Sequence, residues 1–173
     1  MLVTPSGPRL TLRRGTADDV PALEAIRREP EVARWWGRFE SGEIAEQFVD
    51  HDEAFVIELE GAVIGAIQFE EEEDPMYRHA GIDLFVSPSY WNRGLGAEAV
   101  RTLARYLFAE RGHHRLTIDP AADNERAIRA YERVGFRRVG VMRRSERGAD
   151  GTWHDGVLMD LLADELNDEE ERT

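Results

Sequence analysis

The sequence contains neither lysine nor cysteine, and all 22 basic residues among its 173 are arginine. Without lysine, the chain cannot form a Schiff base with a carbonyl substrate or supply the lysine of a phosphate-binding P-loop. Without cysteine, it has no thiol nucleophile, no disulfide and no thiolate metal site. Covalent catalysis through an amine or a thiol is therefore excluded.

Long apolar runs are also missing. No window approaches the roughly 20 apolar residues of a membrane-spanning helix, and the first eight residues lack a basic region followed by an apolar core. A chain without disulfides also suits a reducing compartment. We therefore expect a cytoplasmic protein with no membrane partner.

Positive charge is scarce relative to negative charge. The chain carries 35 acidic residues and a net charge of −13, which disfavours a nucleic-acid partner and favours a cationic one, although acidity also serves solubility alone. Five acids stand together at 70–74, and six acids with one arginine fall within 164–173. We expect one catalytic domain at 1–163, followed by an acidic C-terminal tail at 164–173.

The hydrophobic pattern predicts a single mixed domain. Residues 54–59 and 62–69 form a predicted hairpin, while 94–110 and 124–134 show helical spacing. A helix from Ala17 is predicted to end at Pro30, and an aromatic segment separates it from the next helix. The predicted order β-α-α-β-β-β-α-β-α-β-β indicates an α/β (α+β) fold with a central, mixed, mostly antiparallel twisted sheet flanked by helices.

A glycine-rich turn connects the predicted strand at 81–86 to the helix at 94–110. Glycines at a helix N-terminus leave backbone N–H groups and the positive end of the helix dipole free to bind phosphate. Residues 94–99 also match the dinucleotide pattern G-x-G-x-x-A. However, residues 87–93 separate the strand from Gly94, and the hairpin upstream contradicts a doubly wound parallel sheet.

Two motifs at this spacing resemble the GNAT superfamily of acyl-CoA-dependent N-acetyltransferases. They are residues 86–97, ending in Trp-Asn-Arg-Gly-Leu-Gly-Ala, and residues 124–136. Family members usually present Q/R-x-x-G-x-G/A, whereas Trp91 stands first here. Residues 32–37, 74–83 and 117–124 are most similar to the aminoglycoside 6'-N-acetyltransferases, and the whole resemblance spans about 10–162.

The resemblance implies acetyl-CoA as cosubstrate, bound by the turn and the strand before it. The turn would supply backbone donors, with Arg93 as a cation beside the phosphates. Asn124 would cap its helix and bind the pantetheine arm, and the backbone at the strand end would pair with the same arm. The expected set is Phe85, Val86, Trp91, Asn92, Arg93, Gly94, Leu95, Gly96, Ala97 and Asn124. The alternative is that the glycines serve only a tight turn.

Two side chains are candidates for acid–base chemistry. Asp83 is unusual inside an apolar strand, where aspartate is disfavoured, and alternation places it on the same face as Phe85. The residues alone leave a structural acid or a cation-binding group open, whereas the resemblance implies that Asp83 takes the proton of the acceptor amine. Tyr131 lies on an apolar helical stripe, where a core role is the alternative. The resemblance implies that Tyr131 protonates the departing sulfur of CoA.

The acceptor site is expected to combine aromatic and acidic groups. Trp36 is expected to stack on a sugar ring while Trp35 packs inward, with both in the core as the alternative. The acids expected to bind ammonium groups of the acceptor are Glu73 of the 70–74 run, Asp83, Asp119 and Asp155. The five histidines show no metal-ligand spacing, so we expect no metal.

The resemblance thus implies an acetyl-CoA-dependent N-acetyltransferase of a polycationic small molecule. The first expectation is the 6'-amine of an aminoglycoside antibiotic, hence antibiotic resistance, with the protein as a homodimer. The absence of cysteine favours direct transfer of the acetyl group, with a serine or histidine intermediate as the alternative. Alternative acceptors are a hydroxylysine siderophore precursor, a polyamine or a protein N-terminus. A non-catalytic acyl-CoA- or aminoglycoside-binding protein is the alternative from another class.

Overall fold

The computed structural model describes residues 3–168 as a seven-stranded sheet with helices on both faces. The strands are β1 (Leu10–Arg13), β2 (Ala54–Leu59), β3 (Ala62–Glu72), β4 (His79–Val86), β5 (Arg115–Ile118), β6 (Arg137–Arg147) and β7 (Trp153–Leu162). The helices are α1 (Val20–Arg28), α2 (Pro30–Trp36), α3 (Glu43–Phe48), α4 (Leu95–Ala109) and α5 (Glu125–Val134). In the sheet order β1-β2-β3-β4-β5-β7-β6, only β4 and β5 run parallel. The predicted mixed, mostly antiparallel sheet is confirmed.

The aromatic segment after Pro30 forms a helix that the sequence pattern does not predict. Pro30 ends α1, as predicted, and is also the first residue of α2. Proline suits the first helical position because the N–H that it lacks has no partner there. This helix carries both Trp35 and Trp36 toward the C-terminal end of β4.

The two faces of the sheet bury separate apolar clusters. Ile82 and Val86 of β4 pack in the cluster that contains α4, whereas Phe85 packs in the cluster of α1 and α3. This division confirms the predicted alternation along residues 81–86. Asp83 therefore lies on the same face as Phe85, toward the N-terminal helices.

The parallel strands β4 and β5 separate and leave a gap between them. The strands β4 and β5 are in register only at Ala80–Leu116 and Gly81–Thr117, so they diverge beyond Gly81. The N–H of Ser87 donates to the carbonyl of Ile64 on β3. Since backbone direction alternates along a strand, Phe85 also faces β3, while Leu84 and Val86 present their backbone groups to the gap.

A glycine on β3 sets how closely β3 and β4 approach near this gap. A Cβ on Gly65 would stand 2.1 Å from the carbonyl oxygen of Phe85 and 3.0 Å from the Cα of Val86. Both atoms belong to the backbone, so no side-chain rotation relieves the clash. The end of β4 therefore depends on the missing side chain at Gly65.

The described part of the predicted acidic tail contacts the domain body. Leu166 packs against the main apolar cluster. The N–H of Asn167 donates to the carbonyl of Val134, and Arg101 donates to the carbonyl of Asn167. A truncation before Asp164 would remove these contacts. Residues 169–173 of the predicted tail lie outside the described residues.

No helix within residues 3–168 has both the length and the apolar character that a membrane crossing requires.

Candidate active site

A cavity follows the gap between β4 and the N-termini of α4 and α5, and we call it the β4–α5 cavity. Its lining comprises Leu84, Phe85, Val86, Trp91, Asn92, Gly94, Leu95, Gly96, Ala97, Asn124, Arg126 and Tyr131, together with Val32, Trp35, Trp36 and other residues. The motifs at 86–97 and 124–136 therefore meet in space, although more than 25 residues separate them in the chain.

The turn before α4 is a cradle for an anion. Asn92 and Gly94 adopt left-handed backbone conformations, with φ of 58° and 74°. Among the hydrogen bonds of residues 3–168, none uses the backbone N–H of residues 92–97 as donor. Nothing lies within 4 Å of the point where a Cβ would stand on Gly96. Free donors, open space and the helix dipole fit the diphosphate of acyl-CoA.

Arg93 is the exception in this turn. Its guanidinium lies over the ring of Tyr90, with the central carbon 5.4 Å from the ring centroid, and Arg93 does not line the β4–α5 cavity. The placement of Arg93 as the cation beside the phosphates does not agree with the structure. The side chain of a residue in a tight turn follows from the turn's backbone angles, which the motif alone did not specify.

Two tryptophans bond to the carbonyls that β4 presents to the gap. The indole N–H of Trp36 donates to the carbonyl of Leu84 at 3.1 Å, and that of Trp91 donates to the carbonyl of Val86 at 2.8 Å. Phe85 faces β3 instead, so the expectation that its backbone is available to a ligand is wrong. Leu84 takes that position, while Val86 is placed as expected.

Asn124 and Tyr131 lie on α5 beside the cavity. The side-chain oxygen of Asn124 accepts the N–H of Ala127 at 3.3 Å, which confirms the predicted helix cap. Burial raises the pKa of Tyr131 above its usual value, and the charge of Asp83 adds to the shift. The hydroxyl of Tyr131 therefore stays protonated at neutral pH.

Acidic side chains surround a second opening, on the other side of Tyr131, which we call the acidic cleft. One lobe contains Trp35, Trp36, Asp83, Asp119, Tyr131 and Glu146, among other residues. The other contains Glu46, Glu53, Glu70, Asp83 and Asp119. Asp83 and Asp119 line both lobes, so Asp83 stands at the centre of the cleft while Tyr131 connects it to the β4–α5 cavity.

The environment of Asp83 favours the neutral carboxyl. Its side chain is open to the cleft, but protein surrounds it otherwise, and this loss of solvation raises its pKa to about 7, with the charges of Asp119 and Glu146 adding to the effect. The N–H of Leu84, 3.0 Å from Oδ1, and the guanidinium of Arg27 act in the opposite direction. A carboxylate with a pKa near neutrality is a competent base at physiological pH.

The packing of the two tryptophans of α2 is the reverse of our expectation. Trp36 packs edge-on against Phe85 at 5.1 Å between ring centroids and lies under Arg27 at 4.9 Å. The guanidinium carbon of Arg34 lies 4.4 Å from the centroid of the Trp35 ring, and Trp35 also lines a further pocket beside Asn124. Trp36 is thus the inward residue, although one side of it still lines the acidic cleft.

Two predicted acceptor residues lie away from the cleft. Glu73 lines neither lobe, and Asp155 accepts the backbone N–H of Arg144 at 2.7 Å. Within the 70–74 run, Glu70 lines the cleft, whereas Glu71 bonds Arg111 and His113, which lowers the pKa of Glu71 to about 2. Successive side chains of β3 point to opposite faces, so the run cannot act as one patch.

The sequence does not predict three further acids that line the acidic cleft. Glu46, Glu53 and Glu146 come from α3, the segment before β2, and β6, and no local pattern distinguishes them from solvated surface acids. Within residues 3–168, no group of three or more histidines and acids is placed to hold a metal ion.

Comparisons with known proteins agree with this geometry. A family model described as an acetyltransferase (GNAT) domain matches residues 9–137. An aminoglycoside N(6')-acetyltransferase type 1 of Klebsiella pneumoniae is 32% identical over 163 residues, covering 82% of this chain and 80% of the relative. A spermidine N(1)-acetyltransferase of Escherichia coli is 28% identical, covering 76% and 75%. A solved structure of AAC(6')-Ib in complex with paromomycin and acetyl-CoA superposes with a TM-score of 0.72 at 30% identity, covering 90% of this chain and 94% of that one.

Proposed function

The chain belongs to the acetyltransferase (GNAT) family, and from this premise we propose that it acetylates a polycationic small molecule from acetyl-CoA, foremost an aminoglycoside at its 6'-amine. The observation that carries the proposal is Asp83, a carboxyl with a pKa near 7, at the centre of an acidic cleft that adjoins the β4–α5 cavity through Tyr131.

Acetyl-CoA fits the β4–α5 cavity by the chemistry of its lining. The free N–H groups of residues 92–97 suit the diphosphate, and Asn124 and the gap edge of β4 suit the amides of the pantetheine arm. The carbonyl of Leu84 exchanges the indole donor of Trp36 for an N–H group of that arm, while Trp91 keeps its bond to the carbonyl of Val86. The thioester then lies near Tyr131, at the boundary with the acidic cleft.

The reaction needs one proton removed and one supplied. Asp83 accepts the proton of the acceptor ammonium, directly or through water, and the free amine attacks the thioester carbonyl, forming the C–N bond. The C–S bond breaks, and Tyr131 donates its proton to the thiolate of CoA. The absence of cysteine favours direct transfer of the acetyl group from CoA to the amine over transfer through an acetylated side chain.

The acidic cleft selects for more than one positive charge. Carboxylates on α3, β3, β4 and β6, and one directly after β5, line the two lobes of the acidic cleft, so an acceptor with several ammonium groups makes several charge-assisted contacts. Asp119 lines both lobes, and its charge raises the pKa of Asp83 more than any other charge does. Trp36 offers an aromatic wall to the part of the acceptor held there.

A polyamine is the second candidate acceptor, favoured by the spermidine N(1)-acetyltransferase relative. The deciding experiment incubates the enzyme with acetyl-CoA and either kanamycin, tobramycin, spermidine or a peptide amine, and measures free thiol release. We expect the highest kcat/KM with an aminoglycoside, with the product acetylated at the 6'-amine by mass spectrometry and NMR. Preference for spermidine would favour the second candidate. Binding without thiol release would overturn the enzymatic proposal.

Three further properties belong to the same proposal. Expression in a susceptible bacterium should raise the inhibitory concentration of the aminoglycoside. The homodimer is proposed from the family resemblance, and the cytoplasmic location from the lack of cysteine and of long apolar runs in the sequence.

The acidic run at 70–74 offers a matched pair of variants. Because Glu70 lines the cleft and Glu73 does not, Glu70→Gln should raise the KM for a polycationic acceptor about two- to fivefold, the effect of one solvent-accessible ion pair. The same variant should weaken the dependence of KM on salt. Glu73→Gln removes the same charge and should leave KM unchanged. Equal changes in both would mean that the run acts only through the long-range field.

A further inference from the structure

Trp91 stands where proteins resembling this chain usually carry glutamine or arginine, and the structure gives it two fixed contacts. Its indole N–H donates to the carbonyl of Val86 at 2.8 Å. The guanidinium carbon of Arg126 lies 3.5 Å from the centroid of its ring, a close stacking contact. The tryptophan therefore connects the end of β4 to the second residue of α5.

Arg126 is a cation without a counter-charge. The two acids closest to Arg126 in sequence pair with other arginines. Asp123 pairs with Arg34 at 3.7 Å, and Glu125 pairs with Arg129 at 3.2 Å. No ion pair or hydrogen bond of Arg126 occurs among the described residues. Burial lowers the pKa of Arg126 from its ordinary value, as expected for a desolvated cation with no anion beside it.

The position of Arg126 places this charge at the phosphate cradle. Arg126 lines the β4–α5 cavity together with Asn92, Gly94 and Gly96, whose backbone forms the cradle. Arg93, the arginine within the turn itself, does not line the cavity and stacks on Tyr90 instead.

We propose that Arg126 binds phosphate of the acyl-CoA cosubstrate, at the diphosphate held by the α4 N-terminus, and that Trp91 is its positioning residue. Arg126, held by Trp91, thus provides the polar side chain that residue 91 itself does not provide. A guanidinium presents paired N–H donors to phosphate oxygens, and stacking on the indole fixes their direction. This inference rests on the proposed use of acyl-CoA.

Calorimetric titration with three ligands tests the inference independently of turnover. Wild type, Arg126→Gln and the control Arg129→Gln, an exposed arginine of α5 that does not line the cavity, are each titrated with CoA, dephospho-CoA and pantetheine. We expect Arg126→Gln to weaken CoA and dephospho-CoA about 10- to 100-fold, the effect of one hydrogen bond to a charged group, and to leave pantetheine unchanged. Arg126→Lys should retain part of the affinity, and Arg129→Gln nearly all of it.

The ligand arms separate the outcomes. A loss for CoA but not for dephospho-CoA would assign the contact of Arg126 to the 3'-phosphate. An unchanged affinity for CoA in Arg126→Gln, or an equal loss for pantetheine, would overturn the phosphate role. If wild type binds none of the three ligands, the proposed function itself fails.

A double-mutant cycle tests the positioning role of Trp91. Trp91→Phe keeps an aromatic face but loses the bond to Val86, so it should weaken CoA binding in the presence of Arg126 and much less in Arg126→Gln. Additive losses would overturn the coupling between the two residues. Thermal unfolding of every variant establishes that the compared proteins are folded.

Discussion

Replacing Asp83 by asparagine is expected to lower kcat/KM about 10²- to 10⁴-fold, the usual range for loss of a general base. Asparagine keeps the shape of the side chain but cannot accept the proton of the amine. In wild type, kcat/KM should rise with pH through about 7, where Asp83 loses its proton, and this limb should be absent from the variant. Thiol release measured between about pH 5.5 and 9 gives both quantities.

Tyr131→Phe supplies the contrast to this variant. It removes the proposed proton donor while leaving Asp83 in place, so kcat should fall but the limb near pH 7 should remain. Retention of the limb in Asp83→Asn, or a loss of less than about tenfold, would assign the base to another residue, and Asp119 would be the next to test.

The same asparagine variant should change stability in the opposite direction to activity. The pKa of Asp83 is raised in the folded protein, from an ordinary value of 3.8 to about 7, so the folded state binds the proton more tightly than the unfolded state. Stability from this group is complete below about pH 4 and is lost as pH rises through 7. Asp83→Asn escapes that loss, so its Tm should exceed that of wild type at pH 8 and approach it near pH 4.

Gly65→Ala is expected to destabilise the fold by about 3 kcal/mol, the upper part of the range for overpacking. The new Cβ would meet the backbone of Phe85 and Val86, so β3 and β4 must separate or shift. Denaturant unfolding measures the loss in free energy. Since Val86 lines the β4–α5 cavity, the protein that remains folded should also bind CoA more weakly.

Gly140→Ala is the matched control. Gly140 also lies in a strand, but nothing stands within 4 Å of its Cβ position, so its free energy of unfolding should stay within about 0.5 kcal/mol of wild type. If Gly65→Ala were as mild as Gly140→Ala, the close approach of β3 and β4 would not limit the residue at that position.

Short sequence patterns predict those features of the structure that depend on neighbouring residues alone. Alternation along 81–86 predicts that Asp83 and Phe85 share a face, because side chains of a strand point to opposite sides in turn. The cap at Asn124 follows from the unsatisfied N–H groups at a helix N-terminus, and it is found where predicted. The element order and the mixed sheet follow from the same rules.

The rest of the site depends on contacts that no short pattern encodes. Trp35 and Trp36 are adjacent, and which of them packs inward depends on the direction in which α2 meets β4. Arg93 lies within the motif, yet Arg126 reaches the cavity, because the turn's backbone directs the side chain of Arg93 toward Tyr90. Which of the many acids face Asp83 depends on how distant segments assemble.

The indole bonds at Leu84 and Val86 also bear on how the free protein avoids self-association. Where β4 diverges from β5, it becomes an edge strand inside the domain, and carbonyls on an unpaired edge are a template for strands of other molecules. Trp36 and Trp91 occupy both carbonyls with bulky rings, so the edge is blocked sterically as well as chemically. The carbonyls of Leu84 and Val86 are therefore not available as acceptors to a strand of another molecule.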